Sequence, residues 1–321
     1  MIGFAEKRKL KRSLCDVTSV RAEELTAPQR TKRLHTVDKP TPSLVPAKSQ
    51  VICIASGKGG TGKTIVTTNL AVLLAKSGLR VLLLDADLGL ANAHLLLGAS
   101  PTFDISSVID GNKKMEDIVV ECHEGVRLIP GGTGFSELAE LKDWRFRFLA
   151  SELGKLESDI DVMLVDLSAG INPQIMRFLT AAHEIILVTT PDITALIDAY
   201  ATIKSLSKVR NGAKIKLIIN QVRNDDDVQS AFQKLKRITN KHLHGIDISI
   251  FGWLPHNWYI HNSISKRKPV SLLHPKSLVA RRFQGMATKI GEAHSRWRVN
   301  QANPDNCDMS FFAKLEQMVF E

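Results

Sequence analysis

Long apolar runs are missing from this 321-residue chain: none approaches the roughly 20 residues that a membrane-spanning helix needs, which excludes an integral membrane protein. A secretory leader is missing too, because no apolar core follows the basic N-terminus. Cysteine is sparse. Cys15, Cys53, Cys122 and Cys307 are scattered without a CxxC pair, which argues against a zinc framework or a disulfide scaffold and for a reducing, cytosolic home. Acidic residues fall short of basic ones, 33 Asp and Glu against 43 Lys and Arg, for a net charge of +10. Residues 1–50 hold 11 Lys and Arg and 5 Asp and Glu, so +6 of that excess belongs to a tail rather than to a basic face of a folded domain.

What is present reads as one α/β domain with appendages. Residues 1–50 lack sustained periodicity and end in "DKPTPSLVPAKSQ", where Pro40, Pro42 and Pro46 discourage regular structure; they are expected to form a flexible basic arm and linker. From Val51, short apolar runs (51–56, 80–87, 126–132, 161–168, 184–191, 214–220 and 247–255) alternate with helix-length segments. Strands apolar along their whole length belong in a parallel sheet covered on both faces. The fold predicted for 51–295 is therefore doubly wound α/β, with a mostly parallel sheet, closing in a helix near Lys276–His294. Residues 296–321 read as a linker and a short amphipathic helix. Ligands bind such sheets at the C-terminal strand ends, and the runs here end in Asp85, Asp87, Asp166, Thr190 and Asn220.

The stretch "SGKGGTGKT" (56–64) follows the first apolar run and precedes a helical segment, "TIVTTNLAVLLAKSG". Gly57, Gly62, Lys63 and Thr64 satisfy G-x-x-x-x-G-K-[ST] in the strand–loop–helix setting that makes this motif specific. Glycines let successive backbone N–H groups turn inward onto phosphate oxygens. Lys63 neutralises the β- and γ-phosphates, and the Thr64 hydroxyl is placed to ligate Mg²⁺. Asp166 closes "DVMLVD", a hydrophobic strand ending in a carboxylate suited to holding Mg²⁺. Asp85 and Asp87 end "VLLLDAD", where a carboxylate can orient or deprotonate the attacking water. Taken singly, each aspartate also reads as a helix cap or turn residue. Lys58, between glycines, reads by itself as a solvated loop charge.

"KGGTGKT" with Lys58 resembles the deviant Walker A box of MinD/ParA-type P-loop ATPases, "LLLDADLGLANAHLLLG" their switch I and "VDLSAGI" their switch II. "VTTPDITALIDAYATIKSL" and "GWLP…SISKRKPV" are similar to the MinD-like flagellar-number regulators of the FlhG/FleN type. The resemblance spans about Val51 to His294. It implies a slow ATPase that cycles between a monomer and an ATP-bound homodimer, with ATP and Mg²⁺ as cofactors. In that scheme Lys58 reaches across the dimer to the second copy's nucleotide. A second cation at the γ-phosphate would stabilise the transition state as an arginine finger does. Gly59, Gly60, Thr61, Gly62, Lys63 and Thr64 wrap the phosphates. Asp87 is the aspartate associated with the attacking water, Asp166 the Mg²⁺ aspartate, and Asn220 the adenine contact. Two departures stand out: Asn257 occupies a position usually acidic in relatives, and no DQAxxLR motif occurs in residues 1–50.

In "MSFFAKLEQMVFE", Phe311, Phe312, Leu315, Met318 and Val319 make a helical apolar stripe. In relatives such a helix docks on the membrane in the ATP dimer; a helix packed on its own domain reads equally well. Lys314 is the only cation in the segment, so attraction to anionic lipid must come from Arg296, Arg298 or the arm. The overall expectation is a cytoplasmic protein, peripheral at the inner face of the membrane, with a flagellar GTPase or transcription regulator as partner. The alternatives are a partition ATPase whose dimer binds DNA, or a scaffold or transcription antagonist with little turnover. Nucleic acid is the weaker partner class because most of the excess charge lies in the arm rather than on the folded domain, and the arm's "EKRKLKR" has no interleaved aromatics for sequence-specific or single-strand reading.

Overall fold

The structure is a computed structural model, and it describes residues 49–87, 91–132, 143–301, 303 and 309–318. The expected arm, apart from its last two residues, lies outside these, as do the 88–90 stretch of switch I and Val319. Eight strands occur among the described residues: β1 (Gln50–Ser56), β2 (Val81–Ala86), β3 (Val120–Glu121), β4 (Arg127–Ile129), β5 (Val162–Ala169), β6 (Glu184–Thr189), β7 (Lys214–Val222) and β8 (Asp247–Pro255). They form one sheet in the order β3-β4-β2-β5-β1-β6-β7-β8, parallel throughout except between β3 and β4. The seven predicted apolar runs each supply a strand. Only the two-residue β3 has no counterpart in the apolar pattern.

Why the strands are apolar on both sides follows from their place. In β1 at the centre, Val51, Cys53 and Ala55 face one layer of the core, while Ile52 and Ile54 face the other. The first layer is covered by α3 (Ile105–Ile109), α5 (Asp143–Gly154), α6 (Pro173–Ala181) and α7 (Ile193–Val209). The second is covered by α1 (Lys63–Lys76), α2 (Ala93–Leu96), α10 (Val270–Leu273) and α11 (Leu278–Gln301). The short α4 (Met115–Ile118), α8 (Asp225–His242) and α9 (Trp258–Ser265) complete the flanks. Each large side chain so buried contributes about 1.5–3 kcal/mol. No helix among the described residues is long and apolar enough to cross a membrane.

Two features of the C-terminal part differ from expectation or decide it. The closing helix does not end at His294 but continues to Gln301 through the predicted linker. "SRWRVNQ" contains no Gly or Pro to stop it, and the Trp297 ring lies 5.8 Å from that of His294 and 5.4 Å from that of His183. The final helix, α12 (Phe311–Gln317), is capped by Ser310, whose hydroxyl accepts from the Ala313 N–H at 3.2 Å. Its stripe of Phe311, Phe312 and Leu315 is fully buried against α5 and α6, with the Phe311 ring 6.1 Å from that of Phe178. In this conformation the amphipathic helix packs on its own domain.

Candidate nucleotide-binding site

β1 delivers the chain at Ser56 into the loop that precedes α1. A side chain at Gly57 would put Cβ 2.3 Å from the backbone of Asp198 in α7, so the loop can start so close to that helix only with glycine. Gly62, the residue before α1, has φ of 89° and a Cβ position 2.2 Å from Asn220 Nδ2; both require glycine. Gly59 and Gly60 face open space. From β7, Asn220 Nδ2 donates to the Thr61 carbonyl at 2.7 Å and Gln221 Nε2 to the Gly60 carbonyl at 3.0 Å. Gln221 is held at φ of 59°, a left-handed backbone that costs about 1–2 kcal/mol. The Thr61 hydroxyl is buried without a hydrogen-bond partner among the described residues.

The carboxylates arrive on neighbouring strands, Asp85 of β2 opposite Asp166 of β5. Lys63 Nζ donates to Asp166 Oδ1 at 2.8 Å and stands 4.0 Å from Asp87 Oδ2. Thr67, one turn along α1, donates its hydroxyl to the same Asp166 oxygen at 3.0 Å. Asp166 is fully buried, and its Oδ2 has no hydrogen-bond partner among the described residues. Leaving a buried carboxylate oxygen unpaired is costly, and a hard divalent cation is the partner suited to it. Asp166 and the half-buried Thr64 hydroxyl are oxygen donors of the kind Mg²⁺ takes, so the residues fit that ion.

Asp85 is 1 % exposed and holds the two ends of the switch I segment. Its Oδ1 accepts from the Asp87 N–H at 3.2 Å and its Oδ2 from the Ala93 N–H at 3.0 Å. Burial, reinforced by the charge of Asp166, pushes its carboxyl up to about 7. Lys58 is exposed and lies away from the carboxylates; its Nζ donates to the Thr194 hydroxyl of α7 at 2.9 Å. Beside the loop is a cleft of about 240 Å³, lined by Gly60, Asn220, Gln221, Pro255, Asn257 and Ile260 among others. Asn257 caps α9, its Oδ1 accepting from the Tyr259 N–H at 2.9 Å, a task that asparagine and aspartate perform equally.

The structure thus gathers Lys63, Thr64, Asp87 and Asp166 at one end of the loop, sets Asn220 against its middle, and leaves Lys58 outside. Three residues escaped the motif reading: Thr67, Thr194 and Gln221. Thr67 alone had a signal, since it sits four residues after Lys63 on the same helical face.

Residues 52–270 match the CobQ/CobB/MinD/ParA nucleotide binding domain, which is more than half of the chain. The chain belongs to the MinD/ParA family of P-loop ATPases. Like that family it is an ATPase, with ATP and Mg²⁺ as its cofactors. It is 33% identical to the antiactivator FleN of Pseudomonas aeruginosa over 75% of this chain and 86% of that one. It is 32% identical to the flagellum site-determining protein YlxH of Helicobacter pylori over 74% and 81%. Among solved structures, it resembles the cell division ATPase MinD of Pyrococcus furiosus, with a TM-score of 0.64 and 27% identity over 76% of this chain and 99% of that one. The septum site-determining protein MinD of Pyrococcus horikoshii, solved with Mg-ADP, gives a TM-score of 0.64 at 28% identity, over 76% and 97%.

Proposed function

We propose that this ATPase is a dimerisation switch that sets the number or placement of flagella. The observation that carries the reading is the second lysine. Lys63 is committed to Asp166 at the floor of the site, whereas Lys58 stands exposed at its rim, bonded to a threonine hydroxyl alone among the described residues. A cation so placed is available to a second copy's nucleotide without disturbing its own site. The name of YlxH, a flagellum site-determining protein, directs the switch towards flagella.

In this reading the loop N–H groups of Gly59–Thr64 and the Lys63 ammonium bind the phosphates. Lys63 then exchanges its bond to Asp166 for a phosphate oxygen, and Asp166 with Thr64 would hold Mg²⁺. When bound, the ion would supply neutralisation of phosphate charge. Asp87, fixed through Asp85, orients the attacking water, and Lys58 of the second copy stabilises the charge that develops in the transition state. Asn220 and the cleft beside it take the base. The ATP dimer frees α12 from α5 and α6 for the membrane surface, while residues 1–50 and the segment after α11 act as tethers. The protein works in the cytoplasm and peripherally on the membrane, with a flagellar GTPase or a transcription regulator as reader of the dimer.

Size-exclusion chromatography with a non-hydrolysable ATP analogue and Mg²⁺ tests the core of this: a shift from monomer to dimer is expected, and a monomer throughout rejects it. Co-sedimentation with liposomes in ATP and in ADP tests the rest. The full chain should sediment only with ATP, and a chain ending before Met309 in neither.

A further inference from the structure

The two oxygens of Asp166 are held unequally. Oδ1 accepts from Lys63 Nζ at 2.8 Å and from the Thr67 hydroxyl at 3.0 Å, while Oδ2 is buried with no hydrogen-bond partner among the described residues. Of the two donors, Lys63 belongs to the phosphate-loop motif and Thr67 lies beyond its end at Thr64. Both donors arrive on one helix. β5 lies beside β1 with Asp166 opposite Ile54, and the loop after β1 leads into α1, where Lys63 and Thr67 stand one turn apart on the same face.

The Thr67 hydroxyl has one proton and two acceptors in reach, Asp166 Oδ1 and the Lys63 carbonyl one turn back in α1, each at 3.0 Å. Thr67 and Asp166 are both 0 % exposed, so no solvent separates them. If the proton lay on the carbonyl side, the Thr67 oxygen would face a carboxylate oxygen lone pair to lone pair. A bond to a charged acceptor is also the stronger one, and a threonine bonding the carbonyl four residues back gains little within a helix. The proton therefore lies towards Asp166.

We propose that Thr67 is a positioning residue for the metal, fixing Asp166 by Oδ1 throughout the nucleotide cycle so that Oδ2 stays available to the ion. Lys63 cannot do this, because its ammonium leaves Asp166 for a phosphate oxygen when nucleotide binds. Thr67 has no such second task, and its hydroxyl is then the donor that remains on Oδ1. The terminal torsion of an aspartate is broad, so a carboxylate that lost both donors would turn freely. Partners that orient a ligating carboxylate in this way set how tightly it holds a metal. This role rests on the reading that Asp166 holds Mg²⁺.

The test is the binding of Mn²⁺, which takes the same oxygen ligands as Mg²⁺, to the full chain with ADP, read by electron paramagnetic resonance. Thr67→Val keeps the branched shape and removes the hydroxyl; it should weaken Mn²⁺ by at least about tenfold, with ADP binding in EDTA held within about threefold of wild type. Thr67→Ser restores a hydroxyl and should regain the metal to within about threefold. Circular dichroism checks folding, and Thr67→Ala carries the same thresholds should the valine variant not fold. A smaller loss of Mn²⁺ in the valine variant overturns the proposal. So does a serine variant that stays weaker, which would assign the effect to packing, or a larger loss of ADP affinity in EDTA, which would assign it to the loop. Asp166→Asn separates this failure from that of the reading beneath it. If Asp166→Asn leaves Mn²⁺ binding unchanged, Asp166 is not the metal ligand and the role of Thr67 falls with it; if Asp166→Asn weakens Mn²⁺ and Thr67→Val does not, only the role of Thr67 falls.

Discussion

The two flanks of the phosphate loop are built from opposite charges. On one side, the tips of β2 and β5 bring Asp85, Asp87 and Asp166 together around one lysine. On the other, the chain from Ile248 of β8 to Gly291 of α11 has no carboxylate, against seven Lys and Arg. Asp85 and Asp166 of the acidic flank are buried and held by specific bonds, with Asp87 partly exposed; five of the seven cations on the basic flank are exposed, and none of the seven forms an ion pair among the described residues. Burial, and after it the charge of Asp166, raises the carboxyl of Asp85. Exposure leaves the cations screened by solvent. Only the acidic flank is suited to chemistry on a metal and a phosphate.

Breaking the contrast at its sharpest point should have the largest effect. Lys58→Ala removes the cation at the rim, and phosphate release should fall by about 10³-fold or more, with nucleotide binding retained in equilibrium dialysis. Asp87→Ala leaves Lys63 and Asp166 in place; kcat should fall by about 10²–10⁴-fold, and the dimer should persist with ATP in size exclusion. Intact turnover in either variant would remove that residue from the chemistry.

A gentler change neutralises the buried acid. The folded value of Asp85, about 7, lies above its ordinary 3.8, so between the two the folded chain keeps a proton that the unfolded chain has released. The associated stability is complete below about pH 4 and is lost as pH rises through about 7. Asp85→Asn should therefore flatten the decline in melting temperature between about pH 4 and pH 8; an unchanged profile would show that Asp85 titrates normally. The smallest effect is expected where an acid is added to the basic flank. Asn257→Asp keeps the α9 cap, so stability should change by less than about 0.5 kcal/mol in thermal melts. A larger loss would mean that the flank tolerates no negative charge.

Much of this was legible beforehand, for reasons that can be named. Strands buried on both faces must be apolar at every position, so β1, β5 and β6 announced a parallel sheet. The phosphate loop is local in sequence, and its motif carries its own strand and helix. Contacts that depend on distant segments were not legible. Thr194 meets Lys58 across 136 positions and Gln221 meets Gly60 across 161, and neither pair has a spacing rule. The acid-free stretch was present in the sequence but cancelled in the chain-wide count, because charge acts through surfaces rather than totals.

By itself, the sequence determined the family, the sheet, the loop and the set of carboxylates, because periodicity and a contiguous phosphate cradle are written in neighbouring residues. The tertiary structure alone decided that Lys63 pairs with Asp166 while Lys58 stays outside, that α12 buries its apolar stripe against α5 and α6, and that Arg282 and Lys289 of α11 lie against edge strand β8. Each of those outcomes depends on which segments packing brings within a few ångströms of one another, and no local pattern encodes that.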